Sequence, residues 1–110
     1  MDMNNALAAF SALSNTGRLQ AFRLLIRAGD AGLMSGEVAT RLDAKQNSTS
    51  TQLSILQSAG LIASTREGRS VRYRANLDGM RGLLEFLMED CCGGNPEICG
   101  PVLDEVVCCD

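Results

Sequence analysis

At 110 residues the chain has room for one domain with its own core, burying about two-thirds of its unfolded surface, and no room for a second. Its formal charge of −3 hides a division: residues 1–81 carry all ten bases against six acids, a net +4, while 82–110 carry seven acids and no base, a net −7. That split fits a nucleic-acid face with an acidic appendage as well as an ordinary solvated surface, whereas the longest uncharged stretch, 46–65, holds twelve Ser, Thr, Asn or Gln residues and excludes a membrane span.

The N-terminus has Asp2, no base before Arg18 and only a short apolar run at 6–13. It lacks the parts of a secretory signal, so a cytoplasmic location is expected. Leu7, Phe10, Ala12 and Leu13 predict a short first helix, and Leu19, Phe22, Leu25 and Ile26 a second. Asn15 or Thr16 can cap the second helix and Gly29 can end it. After a turn at Asp30-Ala31-Gly32, Ser35 can cap a short helix that turns Val38, Ala39 and Leu42 inward. A further helix is expected from about Gln46 to Ala59, with Thr49, Leu53 and Leu56 on one stripe and Gly60 as its stop. Two short helices around a tight turn form a helix-turn-helix.

Two strands follow, Leu61–Arg66 and Arg69–Ala75, joined at Glu67-Gly68. In the second, Val71 and Tyr73 alternate with Ser70, Arg72 and Arg74, the pattern of a half-buried strand. Leu77, Met80, Leu83, Leu84, Leu87 and Met88 then define a strongly amphipathic helix ending near Cys91. The expected fold is mainly α with a β-hairpin wing: a winged helix-turn-helix of about five helices and two strands. Residues 1–90 make the DNA-binding and dimerisation domain and 91–110 a cysteine-rich tail.

In a helix-turn-helix the second helix enters the major groove, while bases elsewhere hold phosphates. With Thr49, Leu53 and Leu56 inward, Gln46, Asn47, Ser48, Ser50, Thr51 and Gln52 face outward, and Asn and Gln can pair two-pronged with adenine. A polar, capped surface helix would look the same. Only Lys45 is charged there, so the phosphate contacts that dominate affinity must come from Arg66, Arg69, Arg72 and Arg74 on the wing. A charged edge strand would carry such arginines too. The helix-turn-helix followed at once by an arginine wing is what points to duplex DNA.

Ala12-Leu13-Ser14-Asn15, Arg18-Leu19, then Ser50, Leu53, Leu56 and Ala59-Gly60-Leu61, then Arg66-Glu67-Gly68-Arg69 and Tyr73 resemble the ArsR/SmtB family of small metal-sensing repressors. The resemblance spans about residues 6–88. It implies a homodimer paired through the first and last helices and a repressor that leaves its operator when an inducer binds. Dimerisation also follows from the last helix, whose apolar stripe is longer than a small domain readily covers, and a two-fold dimer would read an inverted repeat. Leu7, Phe10, Met80, Leu83, Leu84 and Leu87 are the expected interface. The stripe could instead pack within one chain.

Five cysteines and no histidine complete the inventory. In a reducing compartment they are ligands or reactive thiols rather than disulfides. Cys91-Cys92 and Cys99, joined by Gly-Gly and Pro, can converge on one atom, but three sulfurs are too few for a closed zinc site. Soft ions suit them better. As(III) takes three ligands and arrives as uncharged As(OH)3, so the nearby acids Glu85, Glu89, Asp90 and Glu97, which raise thiol pKa values, do not oppose it. Arsenite or antimonite therefore ranks first as inducer, with no resident cofactor required. A soft divalent ion such as cadmium or lead ranks second and a persulfide or oxidant third. Many arsenic sensors of the family place cysteines in the first helix of the helix-turn-helix; here Met34 and Gly36 stand at those positions. The tail instead resembles members that bind As(III) just after the last helix. Cys108-Cys109 is an accessory thiol pair or a frayed end without a role.

An enzyme is the rival class. A thiol arsenate reductase needs an Arg shortly after its nucleophilic Cys, yet no base follows Arg81, and the Cys-x-x-Cys of thiol oxidoreductases is missing. A winged domain that binds only protein is a further alternative.

Overall fold

A computed structural model describes residues 2–88 of the chain. In chain order the elements are α1 (Met3–Leu13), α2 (Thr16–Ala28), a 3-10 turn (Gly29–Ala31), β1 (Leu33–Met34), α3 (Ser35–Arg41), α4 (Gln46–Ser58), β2 (Ile62–Glu67), β3 (Ser70–Ala75) and α5 (Leu77–Leu87). This is a winged helix-turn-helix: α3 and α4 are its paired helices, and β2 and β3 its wing.

The helix ends follow from short polar side chains. The Asp2 carboxylate accepts from the Asn5 N–H at 2.8 Å and starts α1, and the Asn15 Oδ1 accepts from the Arg18 N–H at 3.1 Å and starts α2. Along α1 the inward stripe is Ala6, Ala9 and Ala12, which leaves Leu7 57% and Phe10 40% exposed. Leu25, Val38, Leu53, Leu56 and Leu61 are the largest fully buried side chains and tie α2, both paired helices and the wing into one core with Phe22, Leu33 and Ile62. Each such burial stabilises the fold by about 1.5–3 kcal/mol.

Three local expectations shift. Ser35 is the first residue of α3 rather than its cap; Met34 holds the cap position, its backbone N–H donating to Glu37 Oε1 at 2.9 Å. The reason is β1, which keeps Met34 extended opposite Arg72. The wing pairs Glu67 with Ser70, so its two-residue loop is Gly68-Arg69, one position later than the sequence pattern places it, and Arg69 lies in the tip. Gly68 supplies the left-handed backbone there, at φ 65°.

The third shift is the extra strand. The sheet order is β1-β3-β2, with Leu33 opposite Tyr73, so β3 is central rather than an edge. Tyr73 and Ala75 pack on the core from one face while Arg72 and Arg74 are covered on the other, and residues 71–76 are all half-buried instead of alternating. Gly32 makes this approach possible: its φ is 63°, and a Cβ there would collide with the Tyr73 carbonyl.

α5 is capped by Asn76, whose Oδ1 accepts from the Gly79 N–H at 3.1 Å, and it returns to pack against α1. Leu83 is only 3% exposed and joins the core of its own chain, which corrects its assignment to the dimer interface. Met80 also leans on that core, Leu84 is half-buried, and Leu87 is 53% exposed. Among the described residues no helix is long and apolar enough to cross a membrane.

Candidate nucleic-acid interface

Lys45, extended at φ −75° and ψ 144°, leads into α4 without a side-chain cap. Thr49, Leu53 and Leu56 turn inward as expected, and Lys45, Gln46, Asn47, Ser48, Ser50 and Thr51 are exposed. Two of these side chains are partly committed within the chain. Gln46 Nε2 donates to Ser35 Oγ at 2.9 Å and to Ser50 Oγ at 3.4 Å, linking α4 back to α3, and Thr51 Oγ1 donates to the Asn47 carbonyl at 3.1 Å. The exposed amides and hydroxyls of Gln46–Thr51 remain a surface on which base edges can be bonded.

Gln52 departs from its expected role. It is half-buried, and its Oε1 accepts from Arg18 Nη1 at 3.0 Å, so its carbonyl faces α2 instead of solvent. Beside it a cavity of about 110 Å³ opens between α2 and α4, lined by Gly17, Ala21, Leu42, Ser48, Thr49 and Gln52. The Thr49 hydroxyl is buried without a hydrogen-bond partner among the described residues.

The four wing arginines divide into two pairs. Arg66 and Arg69 are exposed, with no hydrogen bond or ion pair among the described residues. Arg72 donates from Nε to Glu67 Oε2 at 2.9 Å and from Nη1 to the Ala31 carbonyl at 2.9 Å. Its hydrogen bond to Glu67 holds the guanidinium pKa above its ordinary value. Arg74 donates from Nε to the Asp30 carbonyl at 2.7 Å and from Nη1 to Thr65 Oγ1 at 3.2 Å. Both are struts between the wing and the turn before β1. Of the four arginines expected to reach phosphate, Arg72 and Arg74 are therefore each already engaged with one backbone carbonyl and one side chain. Sequence periodicity could not separate the pairs, because the acceptors are main-chain atoms some forty residues upstream.

No family model matches the chain. The transcriptional activator HlyU of Vibrio cholerae is 30% identical over 97 residues, covering 86% of this chain and 87% of HlyU. The homodimeric winged helix-turn-helix DNA-binding domain of Mb0332 from Mycobacterium bovis, a possible ArsR-family regulator, superposes with a TM-score of 0.65 at 26% identity, over 80% of this chain and 82% of that one. The chain belongs to the ArsR family of winged-helix transcriptional regulators. An ArsR-like regulator from Rhodococcus sp. RHA1 has the same fold, with a TM-score of 0.68, 24% identity and coverage of 94% and 92%.

Membership places this ArsR chain among transcriptional regulators and not enzymes, in agreement with the absence of reductase spacing in its sequence. Arg18, which sequence patterning left without a role, sits inside one of the motifs that carry the family resemblance. Cys91, Cys92 and Cys99, and the accessory pair Cys108 and Cys109, all lie outside the described residues. Within those residues no three His, Cys, Asp or Glu side chains are grouped to hold a metal ion.

Proposed function

We propose that the chain is a DNA-binding regulator that acts as a homodimer on an inverted-repeat operator. The observation that carries this reading is the pairing of exposed polar residues, Gln46, Asn47, Ser48, Ser50 and Thr51, on the second helix of the helix-turn-helix with a wing whose Arg66 and Arg69 have no partner among the described residues. Exposed Leu7 and Phe10 on α1 and Leu87 on α5, helices that pack together, supply an apolar surface for the second copy. The homodimeric Mycobacterium domain supports that arrangement.

The finer reading is an arsenite- or antimonite-responsive repressor of the cytoplasm. Cys91, Cys92 and Cys99 would exchange their three thiol protons against the three hydroxyls of As(OH)3, releasing three waters and leaving a neutral trithiolate. A neutral product suits a segment as acidic as 82–110. Inducer binding shifts operator affinity only as far as it distinguishes the bound and free states, typically ~1–3 kcal/mol.

The test is a gel shift and anisotropy titration with a duplex that the full chain selects from a random pool, followed by arsenite, antimonite, cadmium, lead, and persulfide or oxidant in separate arms. Selection of a palindrome and steep salt dependence support the DNA reading; no selected duplex removes it. Release by arsenite in the wild type but not in Cys91→Ser, Cys92→Ser or Cys99→Ser supports the inducer site. Release by cadmium, lead or persulfide alone replaces the inducer. A reporter under the selected operator assigns repression or the activation for which HlyU is named.

A further inference from the structure

We propose that Arg18 is a positioning residue for DNA binding: its guanidinium fork fastens helix α4, through Gln52, to the C-terminal end of α1. The inference rests on the DNA-binding reading above and adds the route by which the subunit contact and the DNA-reading helix are held in register.

The last carbonyls of an α-helix lack partners within it and carry the negative end of its dipole. At the end of α1 one side chain takes the Ala12 carbonyl and shares the Ser11 carbonyl with the backbone N–H and hydroxyl of Ser14. Arg18 Nε donates to the Ala12 carbonyl at 2.6 Å, and Nη2 reaches the Ser11 carbonyl at 3.5 Å. The third arm of the same plane, Nη1, donates to Gln52 Oε1 at 3.0 Å, across 34 residues of sequence. The base of the fork is fixed as well, because the Arg18 N–H is the donor to the Asn15 cap of α2.

Two details argue against a chance surface contact. Arg18 and Gln52 are both half-buried, and Arg18 makes no ion pair among the described residues, so its charge is met by three neutral acceptors from two different helices. An arginine so placed is neither a surface salt bridge nor a free phosphate ligand. The Gln52 amide nitrogen also lies beside Gly17, where an added Cβ would stand at an ordinary contact distance of 3.5 Å from it. Gln52 is thus seated against the start of α2 at both ends of its amide.

Direction follows from the same helices. α1 presents Leu7 and Phe10 outward while its last turn is gripped by Arg18. Any displacement of α1 at a subunit contact is therefore passed through a planar, multiply bonded group to α4. A lysine cannot substitute, because a single ammonium does not span acceptors in a fixed fork.

The experiment uses the full chain and the duplex it selects from a random pool. Operator affinity is measured for Arg18→Met, Gln52→Met and the double variant at several salt concentrations, with dimer fraction followed by sedimentation and folding by circular dichroism. Each single variant is expected to lose about tenfold in affinity, the double variant no more than the worse single, and the salt slope to stay at the wild-type value. Additive losses, or unchanged affinity in Arg18→Met, overturn the proposal. A salt slope reduced by about one also overturns it, since Arg18 would then be a phosphate ligand. Should Arg18→Met fail to fold, Arg18→Lys takes its place with the same expected loss, and unchanged affinity or a loss additive with that of Gln52→Met then overturns the proposal. Failure of the wild-type chain to select any duplex refutes the DNA-binding reading itself, a result distinct from all of these.

Discussion

Asn76 and Gly60 are joined across the base of the wing, with the Asn76 Nδ2 donating to the Gly60 carbonyl at 2.9 Å while the Asn76 backbone N–H donates to the Leu61 carbonyl at 2.9 Å. The same side chain caps α5. Asn76→Ala removes a cap and a cross-link together and should cost about 1–2 kcal/mol in urea unfolding. Asn76→Asp keeps the acceptor and should fall between. Equal losses for the two variants would show that the Gly60 bond alone matters.

Gly32→Ala should be among the most damaging single-methyl additions. It imposes a positive φ on a side-chain-bearing residue and drives a Cβ into the Tyr73 carbonyl, and β1 must leave β3 to relieve it. A destabilisation of at least about 2 kcal/mol is expected from strain and overpacking. Gly29, also at positive φ, has open space around it. Gly29→Ala should therefore cost less, and a thermal melt of both variants checks the order.

Thr49 is 4% exposed with its hydroxyl unpaired among the described residues. Thr49→Val keeps the shape and removes the orphan, so it should be neutral or stabilising by up to about 1 kcal/mol. A clear loss in Tm would mean that the hydroxyl has a bound water as partner.

The wing arginines should separate in two assays. Arg66→Ala and Arg69→Ala should weaken DNA binding for all sequences and lower the salt slope by about one each, with stability within about 0.5 kcal/mol of wild type. Arg72→Ala and Arg74→Ala detach the turn at Asp30-Ala31 and should lower the unfolding midpoint instead. Because the Glu67 bond raises the pKa of Arg72, any stability it carries is present throughout the ordinary pH range and is lost only as pH rises through that already high value.

Leucines on α5 should behave as two classes. Leu83→Ala opens a cavity in the chain's own core and should cost about 2–5 kcal/mol. Leu87→Asp and Phe10→Asp leave that core intact and should dissociate the dimer in sedimentation. Unfolding by Phe10→Asp would place α1's outer face in the monomer's packing.

The sequence carried the helices well because period and caps are local: Asn15 and Gly29 bound α2, and Thr49, Leu53 and Leu56 mark the buried stripe of α4. It carried the wing less accurately. The β1 strand is two residues long, too short to show a period, and its pairing with β3 decides which arginines are free. The apolar stripe of α5 was legible, but how one helix divides its leucines between its own core and an outer face depends on the packing of α1. Arg18 and Gln52 are 34 positions apart, and nothing in either neighbourhood announces the other.

The seating of Gln52 has a consequence for what an operator can encode. With that side chain turned inward, the outward reading residues shrink to Gln46, Asn47, Ser48, Ser50 and Thr51, on a stretch of about 9 Å of helix at 1.5 Å per residue. That length faces roughly three base-pair steps of 3.4 Å. On the proposed inverted-repeat operator two subunits would specify few letters directly, and the remaining selectivity would reside in half-site spacing and in how readily the intervening duplex deforms. Searching a genome for its targets by geometry should therefore succeed where a consensus word alone returns too many sites.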